Sequence, residues 1–114
     1  MERDKSKAAT EIVSRVFRMA DMVEYQPGSV VSRTLVDRPS GTVTLFAFAE
    51  GQGLSEHTAP FDAMVHVLDG EATVTISRND YELVGGDMII MPAGEPHALK
   101  ARKRFKMALV MIRS

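Results

Sequence analysis

The feature that most constrains this chain is the frequency with which turn residues interrupt its β-forming segments. From residue 15 onward, runs of about four to eight apolar and β-branched residues alternate with turn sequences such as Asp69-Gly70 and Gly85-Gly86. No segment beyond the first dozen residues keeps a helical period. Short strands at regular spacing are typical of β-sandwiches and β-barrels, so we predict an all-β fold.

The turn positions divide the chain into predicted elements. Residues 1–14 are predicted to form an N-terminal arm, within which residues 8–13 could form a short helix, and residues 15–114 a single domain. Residues 20–25 are predicted to form one helical turn, and Asp69-Gly70 a hairpin turn. The predicted strands are residues 16–19, 29–36, 42–49, 64–68, 71–77, 81–84, 88–91, 97–101 and 105–112.

The composition of the 114 residues excludes several classes of protein. A net charge of −1 argues against a nucleic-acid partner bound through its phosphates. No apolar run approaches the ~20 residues that cross a bilayer, and the polar start of the chain does not resemble a signal peptide. The absence of cysteine excludes disulfides, a thiolate nucleophile and thiolate-bound zinc. We therefore expect a cytoplasmic protein of one globular domain.

Two predicted strands have no polar face. Residues 88–91 are apolar throughout, and residues 105–112 present apolar side chains on both sides. A strand with one face in water should alternate between apolar and polar residues. A second sheet on one side and a partner subunit on the other would explain the pattern, so we expect a homodimer. In the alternative, the N-terminal arm folds over the outer face.

The three histidines of the chain are His57, His66 and His97, and two of them occur in recognisable sequence frames. Gly51 is followed after five residues by His57, and this frame ends at Gly70. The second frame places Pro92, Gly94 and His97 after Gly86, with the spacing G-x5-P-x-G-x2-H. Over residues 29 to 112 the chain resembles the cupin superfamily, whose two conserved motifs have these spacings. The resemblance implies a double-stranded β-helix, or jelly-roll barrel, with both motifs facing its mouth.

Three positions depart from the family pattern. The second histidine and the glutamate of the first motif fall at Ala59 and Ala63, and the asparagine after the second motif falls at Ala101. In metal-binding cupins the histidines and the glutamate hold one divalent ion, so the resemblance leaves His57 and His97 as metal ligands here. Asp62 is a possible third ligand if the irregular backbone near Pro60 turns it inward. We expect either no cofactor or a weakly held divalent transition metal.

His57 and His97 also have roles open to them without a metal. Two imidazoles in an apolar barrel could form an acid–base pair, bind an anionic ligand, or only fill space. The alanines leave room for a neutral organic molecule, and Phe61, Val65 and Met91 are candidate ligand contacts whose alternative role is core packing.

Two further groups are assigned no part in the site. Strand alternation turns His66 outward if Ala63 faces the barrel. The basic run at residues 100–106 is predicted to lie at the exposed hairpin between the last two strands, although contact with an acidic partner is the alternative.

Three functions therefore remain after the sequence analysis. The first is a module that binds a small molecule through His57 and His97. The second is a divalent-metal-dependent cupin enzyme of oxygenase, lyase or isomerase type, and whether the chain is an enzyme at all stays open. The third is a packed barrel that acts through its dimer surface.

Overall fold

The computed structural model describes residues 12–113 of the chain. Within this range the chain forms a 3₁₀ turn at Met19–Asp21 and seven strands. The strands, numbered β1 to β7 in chain order, are Val30–Arg38, Gly41–Phe48, Gly53–His57, Asp62–Ile76, Asn79–Val84, Met88–Met91 and His97–Ile112. All pairs of neighbouring strands are antiparallel.

The two longest strands, β4 and β7, hold the fold together because each belongs to two half-sheets. The first half of β4 pairs with the second half of β7, and these segments are flanked by β2 and β6. The second half of β4 pairs with the first half of β7, flanked by β5 and β3. Register shifts at Val67/Asp69 and Gly70/Ala72 mark the bend between the halves, since bulges bend and twist a strand.

The half-sheets enclose the main hydrophobic core. Phe48, Val65 and Phe105 are fully buried there, and the rings of Phe48 and Phe105 stack with centroids 4.5 Å apart. Alternate residues of β2, β4 and β7 point into this core, as the period of two along a strand requires. The result is an all-β, double-stranded β-helix, which confirms the predicted fold class.

A second, smaller core lies on the outer face, the side of the β1–β2–β7–β4–β6 half-sheet that faces away from the barrel. Leu45, Ala47 and Ala108 are buried on this face beneath Val23 and its neighbours in residues 19–25. The apolar character of both faces of β7 therefore reflects two cores. Residues 19–25, which lie outside the predicted arm of residues 1–14, cover part of the outer face.

The structure corrects several predicted elements. No turn occurs at Asp69-Gly70, because β4 bends and continues, and residues 100–106 lie inside the continuous strand β7 instead of at a hairpin tip. Residues 16–18 form no strand, the helical turn is limited to Met19–Asp21, and β3 was absent from the predicted strands. Most of the predicted helix at residues 8–13 lies outside the described residues. The remaining strands match the prediction within a few residues.

No helix within residues 12–113 combines the length and apolarity required to span a bilayer.

Candidate functional site

His57 and His97 meet at one end of the barrel. β3 ends at His57, β7 begins at His97, and the two residues are register partners across these strands. Two loops cross between the half-sheets at this end: residues 58–61 lead from β3 to β4, and residues 92–96 lead from β6 to β7. The strand register therefore brings the histidines of two distant sequence motifs to the mouth of the barrel.

The two crossing loops are hydrogen bonded to each other. The Gly94 N–H donates to the Ala59 carbonyl at 2.8 Å, and the Ala93 N–H donates to Oδ1 of Asp62 at 2.9 Å. Gly94 adopts a φ of +80°, a conformation that glycine reaches without the steric cost of a side chain. These contacts hold the backbone that leads into His97 and explain the proline–glycine pattern before it.

The imidazoles of His57 and His97 point at each other through their Nε2 atoms, which lie 3.2 Å apart. The ring planes are inclined by 75°, with centroids 4.4 Å apart. His97 is 3% exposed, whereas His57 is open to solvent. The pair therefore has one buried and one accessible member, so a solute can reach it from the His57 side.

The second nitrogen of each ring is held by the backbone. Nδ1 of His57 donates to the Ser55 carbonyl at 2.8 Å, and Nδ1 of His97 donates to the Glu95 carbonyl at 3.2 Å. Because a carbonyl oxygen only accepts hydrogen bonds, both Nδ1 atoms carry a proton in this arrangement. When both rings are neutral, neither of the facing Nε2 atoms carries a proton. Both are then hydrogen-bond acceptors, and no hydrogen lies between them.

An added proton could supply that hydrogen, but the surroundings of His97 oppose it. Burial lowers the pKa of His97, and the charge of His57 lowers it further, while the hydrogen bond to the Glu95 carbonyl acts in the opposite direction. Burial has this effect because the imidazolium form loses its hydration.

Two of the three positions that depart from the family pattern are buried in the structure. Ala63, at the position of the family's glutamate, is 2% exposed, and Ala101, at the position of its asparagine, is 1% exposed. Asp62, the possible third ligand, uses Oδ1 to accept the Ala93 N–H. No group of three or more metal-ligating His, Asp or Glu side chains occurs within residues 12–113. The structure thus brings two predicted ligands together and engages the third elsewhere.

The predicted apolar ligand contacts separate into two environments. Val65 and Met91 are buried in the main core at 0% and 2% exposure. Phe61 lies in the loop beside the mouth, where the guanidinium of Arg113 sits 5.5 Å from its ring centroid. Val65 and Met91 belong to the core packing of the barrel, whereas Phe61 is at its entrance.

Two polar residues of this region were not singled out from the sequence. Thr42, on the inner face of β2, is 8% exposed, and its hydroxyl has no partner within the described residues. Arg113, at the end of β7, is 52 positions from the Phe61 ring it covers. No local motif marks either residue, because their placement follows from strand register.

His66 lies away from the mouth. It pairs with Met88 and Ala108 on neighbouring strands, while Val65 and Val67 on either side of it point into the main core. His66 therefore points away from the main core, as strand alternation predicted.

The fold and the paired motifs define a cupin. A family model described as "Cupin domain" matches residues 44–113. The chain belongs to this family. None of the curated proteins compared with this chain is similar to it.

Similar solved structures include several cupins and a protein of unknown function. A conserved protein of unknown function from Streptococcus pyogenes is 39% identical, with 89% of each chain covered and a TM-score of 0.85. A cupin superfamily protein from Desulfitobacterium hafniense is 30% identical over 89% of this chain and 93% of its own, with a TM-score of 0.84. A cupin 2 conserved barrel domain protein from Leptotrichia buccalis is 38% identical over 85% of this chain and 47% of its own, with a TM-score of 0.83.

Proposed function

We propose that this protein binds a small, neutral organic molecule at the barrel mouth, and that His57 and His97 are its polar anchor. The observation that carries the proposal is the 3.2 Å contact between two Nε2 atoms whose partner Nδ1 atoms are bonded to carbonyls. Two converging acceptors repel each other until a hydrogen-bond donor is placed against them. A ligand hydroxyl or amine would supply that donor.

The surroundings of the pair support a neutral ligand. Ala59 and Ala63 remove the bulk and charge that the family's metal ligands would have at these positions. The inner face beneath the mouth is apolar, with Val65 and Met91 in its core, and Phe61 stands at the entrance. Small-molecule sites gain affinity from apolar contact and orientation from a few polar groups. The ligand class that fits is a small alcohol, sugar or phenol.

A thermal-shift series with sugars, phenols, small amines and small carboxylates tests the proposal. Hydroxyl-bearing compounds should stabilise the wild type, by about 2.7 kcal/mol at one hundred times the dissociation constant. Substituting H57A or H97A should abolish the shift, because each removes one acceptor. H57A is the more decisive variant, since His57 is exposed and its loss leaves the core intact.

H66A is the matched control, because it removes a histidine of the other half-sheet that lies away from the mouth. It should keep the ligand response of the wild type. If no compound stabilises the wild type, or if H57A and H97A respond as strongly as H66A, the proposal is wrong. Stronger stabilisation by carboxylates would contradict the ligand class.

The second candidate function is a divalent-metal enzyme, and one observation favours it. Two ligands on one ion, each about 2.1 Å from it, lie roughly 3.0–3.4 Å apart in octahedral or tetrahedral geometry; the Nε2 atoms are 3.2 Å apart. Metal-bound histidines also donate their other N–H to groups such as carbonyls. His57 and His97 fit a metal in both respects, but they form an incomplete protein shell. Water or the substrate would complete the coordination of an ion able to act as a Lewis acid.

Elemental analysis of untagged protein separates the two functions. Near one equivalent of a transition metal, lost in H57A and H97A and retained in H66A, would support the metal enzyme. Metal-free wild type that still responds to hydroxyl compounds would support the binding module.

A further inference from the structure

We infer that the hydroxyl of Thr42 is a second polar contact of the ligand site at the barrel mouth. The ligand then carries two hydroxyls, one for the pair of His57 and His97 and one for Thr42. This inference rests on the proposed function and narrows the ligand class to a cyclic diol or a dihydroxyphenol. It begins with a buried hydroxyl that the fold itself does not use.

Thr42 is a buried polar residue whose hydroxyl makes no hydrogen bond within residues 12–113. The residue is 8% exposed, and its Oγ1 atom has no partner. Its neighbours in the strand register are Asp37 on β1 and Met111 on β7, and the hydroxyl bonds to neither. Burying a hydroxyl without a partner is unfavourable. A ligand hydroxyl placed against Thr42 would remove this cost.

A second threonine on the same strand shows how a hydroxyl is satisfied there. Thr44 lies two residues further along β2 and therefore on the same face as Thr42. Its Oγ1 is 3.5 Å from Oγ1 of Thr34, its register partner on β1. The fold thus supplies a partner for the hydroxyl of Thr44 and none for that of Thr42, which lies nearer the mouth.

Strand pairing places Thr42 across the barrel from His57. β4 occupies one edge of β7 along both halves, so β2 and β3 share the other edge. Gly41 pairs with Ile112 and His57 pairs with His97, which puts these ends of β2 and β3 at the two ends of β7. Because β7 bends between its two halves, both ends lie at the mouth, and Thr42 on one wall faces the histidine pair on the other.

The space between the two walls suits a ligand of one ring. Facing sheets lie about 10 Å apart between backbones, and the side chains of Thr42 and His57 both project into this space. Met111 and Ala63 are the next residues along the inner face from Thr42. The alanine leaves room, and a methionine side chain adapts its shape. A ring with hydroxyls at opposite ends would therefore meet apolar side chains between its two polar contacts.

The chemistry of the two contacts specifies hydroxyls. The facing Nε2 atoms of neutral His57 and His97 only accept hydrogen bonds, so the ligand must donate to them. The Thr42 hydroxyl donates one hydrogen bond and also accepts, so it suits another hydroxyl. A carboxylate has no hydrogen to donate to the histidines. Neither contact offers an opposite charge to an ion, and a neutral diol satisfies both.

Phe61 and Arg113 cover the approach to Thr42. Asp62 pairs with Ile112, and continuing this register by one residue sets Phe61 beside Arg113, in agreement with the 5.5 Å between the guanidinium and the ring centroid. Strand alternation places both side chains on the inner side of the rim, above the row that contains Thr42. Both are half-buried, so they can move aside without disrupting the main core.

Calorimetric titration of the full chain with matched compounds tests this inference. Phenol and hydroquinone form one pair, and cyclohexanol and the cyclohexanediol with hydroxyls on opposite carbons form the other. The wild type should bind the dihydroxy member of each pair about tenfold more tightly, because it gains one more hydrogen bond. T42V removes the hydroxyl with little change of shape and should bind both members about equally. T42S keeps the hydroxyl and should retain the preference.

T44V is the matched control, because it removes a hydroxyl from the same face of the same strand. It should keep the preference for the dihydroxy compounds. Thermal unfolding without added compound gives a second measurement: since the Thr42 hydroxyl has no partner to lose, T42V should be at least as stable as the wild type. A less stable T42V would show that the hydroxyl is already satisfied and would overturn the inference.

The binding results separate this inference from the proposed function. If the wild type binds none of the four compounds, both are wrong. If the wild type binds the members of each pair equally and H57A abolishes binding, the proposed function stands and only the role of Thr42 is wrong. A preference that persists in T42V, or that is lost in T44V, would also overturn the role of Thr42.

Discussion

The Nε2 atoms of His57 and His97 lie 3.2 Å apart. A proton on Nε2 of His97 would therefore point at Nε2 of the neighbouring ring. Burial and the charge of His57 lower the pKa of His97 and oppose that proton.

Acid should destabilise the protein through His97. Its pKa is lowered in the folded chain, so below about pH 6.5 the unfolded chain binds more protons than the native chain. The stability associated with neutral His97 is complete above that pH and is lost as the pH falls through the native pKa. Urea unfolding between pH 8 and pH 5 should therefore show a steeper loss in the wild type than in H97Q. Equal pH slopes in the wild type and H97Q would refute the assignment.

At the scale of elements, the bend shared by β4 and β7 determines where His57 and His97 lie in the barrel. Arg102 crosses this bend, with Nη1 2.8 Å from Oε1 of Glu71 and further contacts to Glu82 and to the Ala72 carbonyl. Gly70, in the bend of β4, has a φ of +86°. A Cβ at Gly70 would lie 1.8 Å from the Arg104 carbonyl oxygen. The close approach of the two backbones thus depends on glycine.

Gly70 and Gly86 provide a matched test of the bend. Both have positive φ, at +86° and +98°, but a Cβ at Gly86 would meet nothing within 4 Å. We expect G86A to cost about 1–2 kcal/mol from backbone conformation alone. G70A adds a clash with backbone atoms and should cost more than about 3 kcal/mol, or prevent folding. The free energy of unfolding in urea measures both, and similar losses would show that the close approach at Gly70 is unimportant.

At the scale of the whole molecule, one half-sheet is shared by two cores. Its inner side closes the barrel, and its outer side receives residues 19–25. Two hydrogen bonds attach this segment: the Tyr25 hydroxyl donates to Oδ2 of Asp69 at 2.6 Å, and Nζ of Lys106 donates to the Ala20 carbonyl at 2.5 Å. The folding unit therefore begins before the first strand.

Val23 tests whether residues 19–25 unfold together with the barrel. It is 3% exposed in the second core, and V23A should lower the free energy of unfolding by about 1–3 kcal/mol. The unfolding of V23A in urea should remain a single cooperative transition. An unchanged midpoint in V23A, or a separate early transition, would mean that the segment is not part of the barrel's folding unit. V13A is the control, because Val13 is 59% exposed, and it should have little effect.

Sequence reasoning predicted local features of this protein well and long-range features less well. The period-two pattern of residues 71–77 predicted a strand that the structure contains, because alternation is a property of neighbouring residues. Asp69-Gly70 misled the prediction, since the same residues suit a hairpin turn and a bulged bend. β3 was missed because its few residues lack an apolar pattern, and it is a strand only through its pairing with β7.

The order of residues along the chain is sufficient to predict an all-β fold, because turn spacing and alternation are local properties. The resemblance of its two histidine frames to the cupin motifs implies the barrel and the alanines at the other ligand positions. The contact between His57 and His97, forty residues apart, was decided by the register of β3 on β7. The same holds for the engagement of Asp62 and the packing of residues 19–25 on the outer face. Register depends on the sum of many weak pairings across the sheet, so no single segment contains that information.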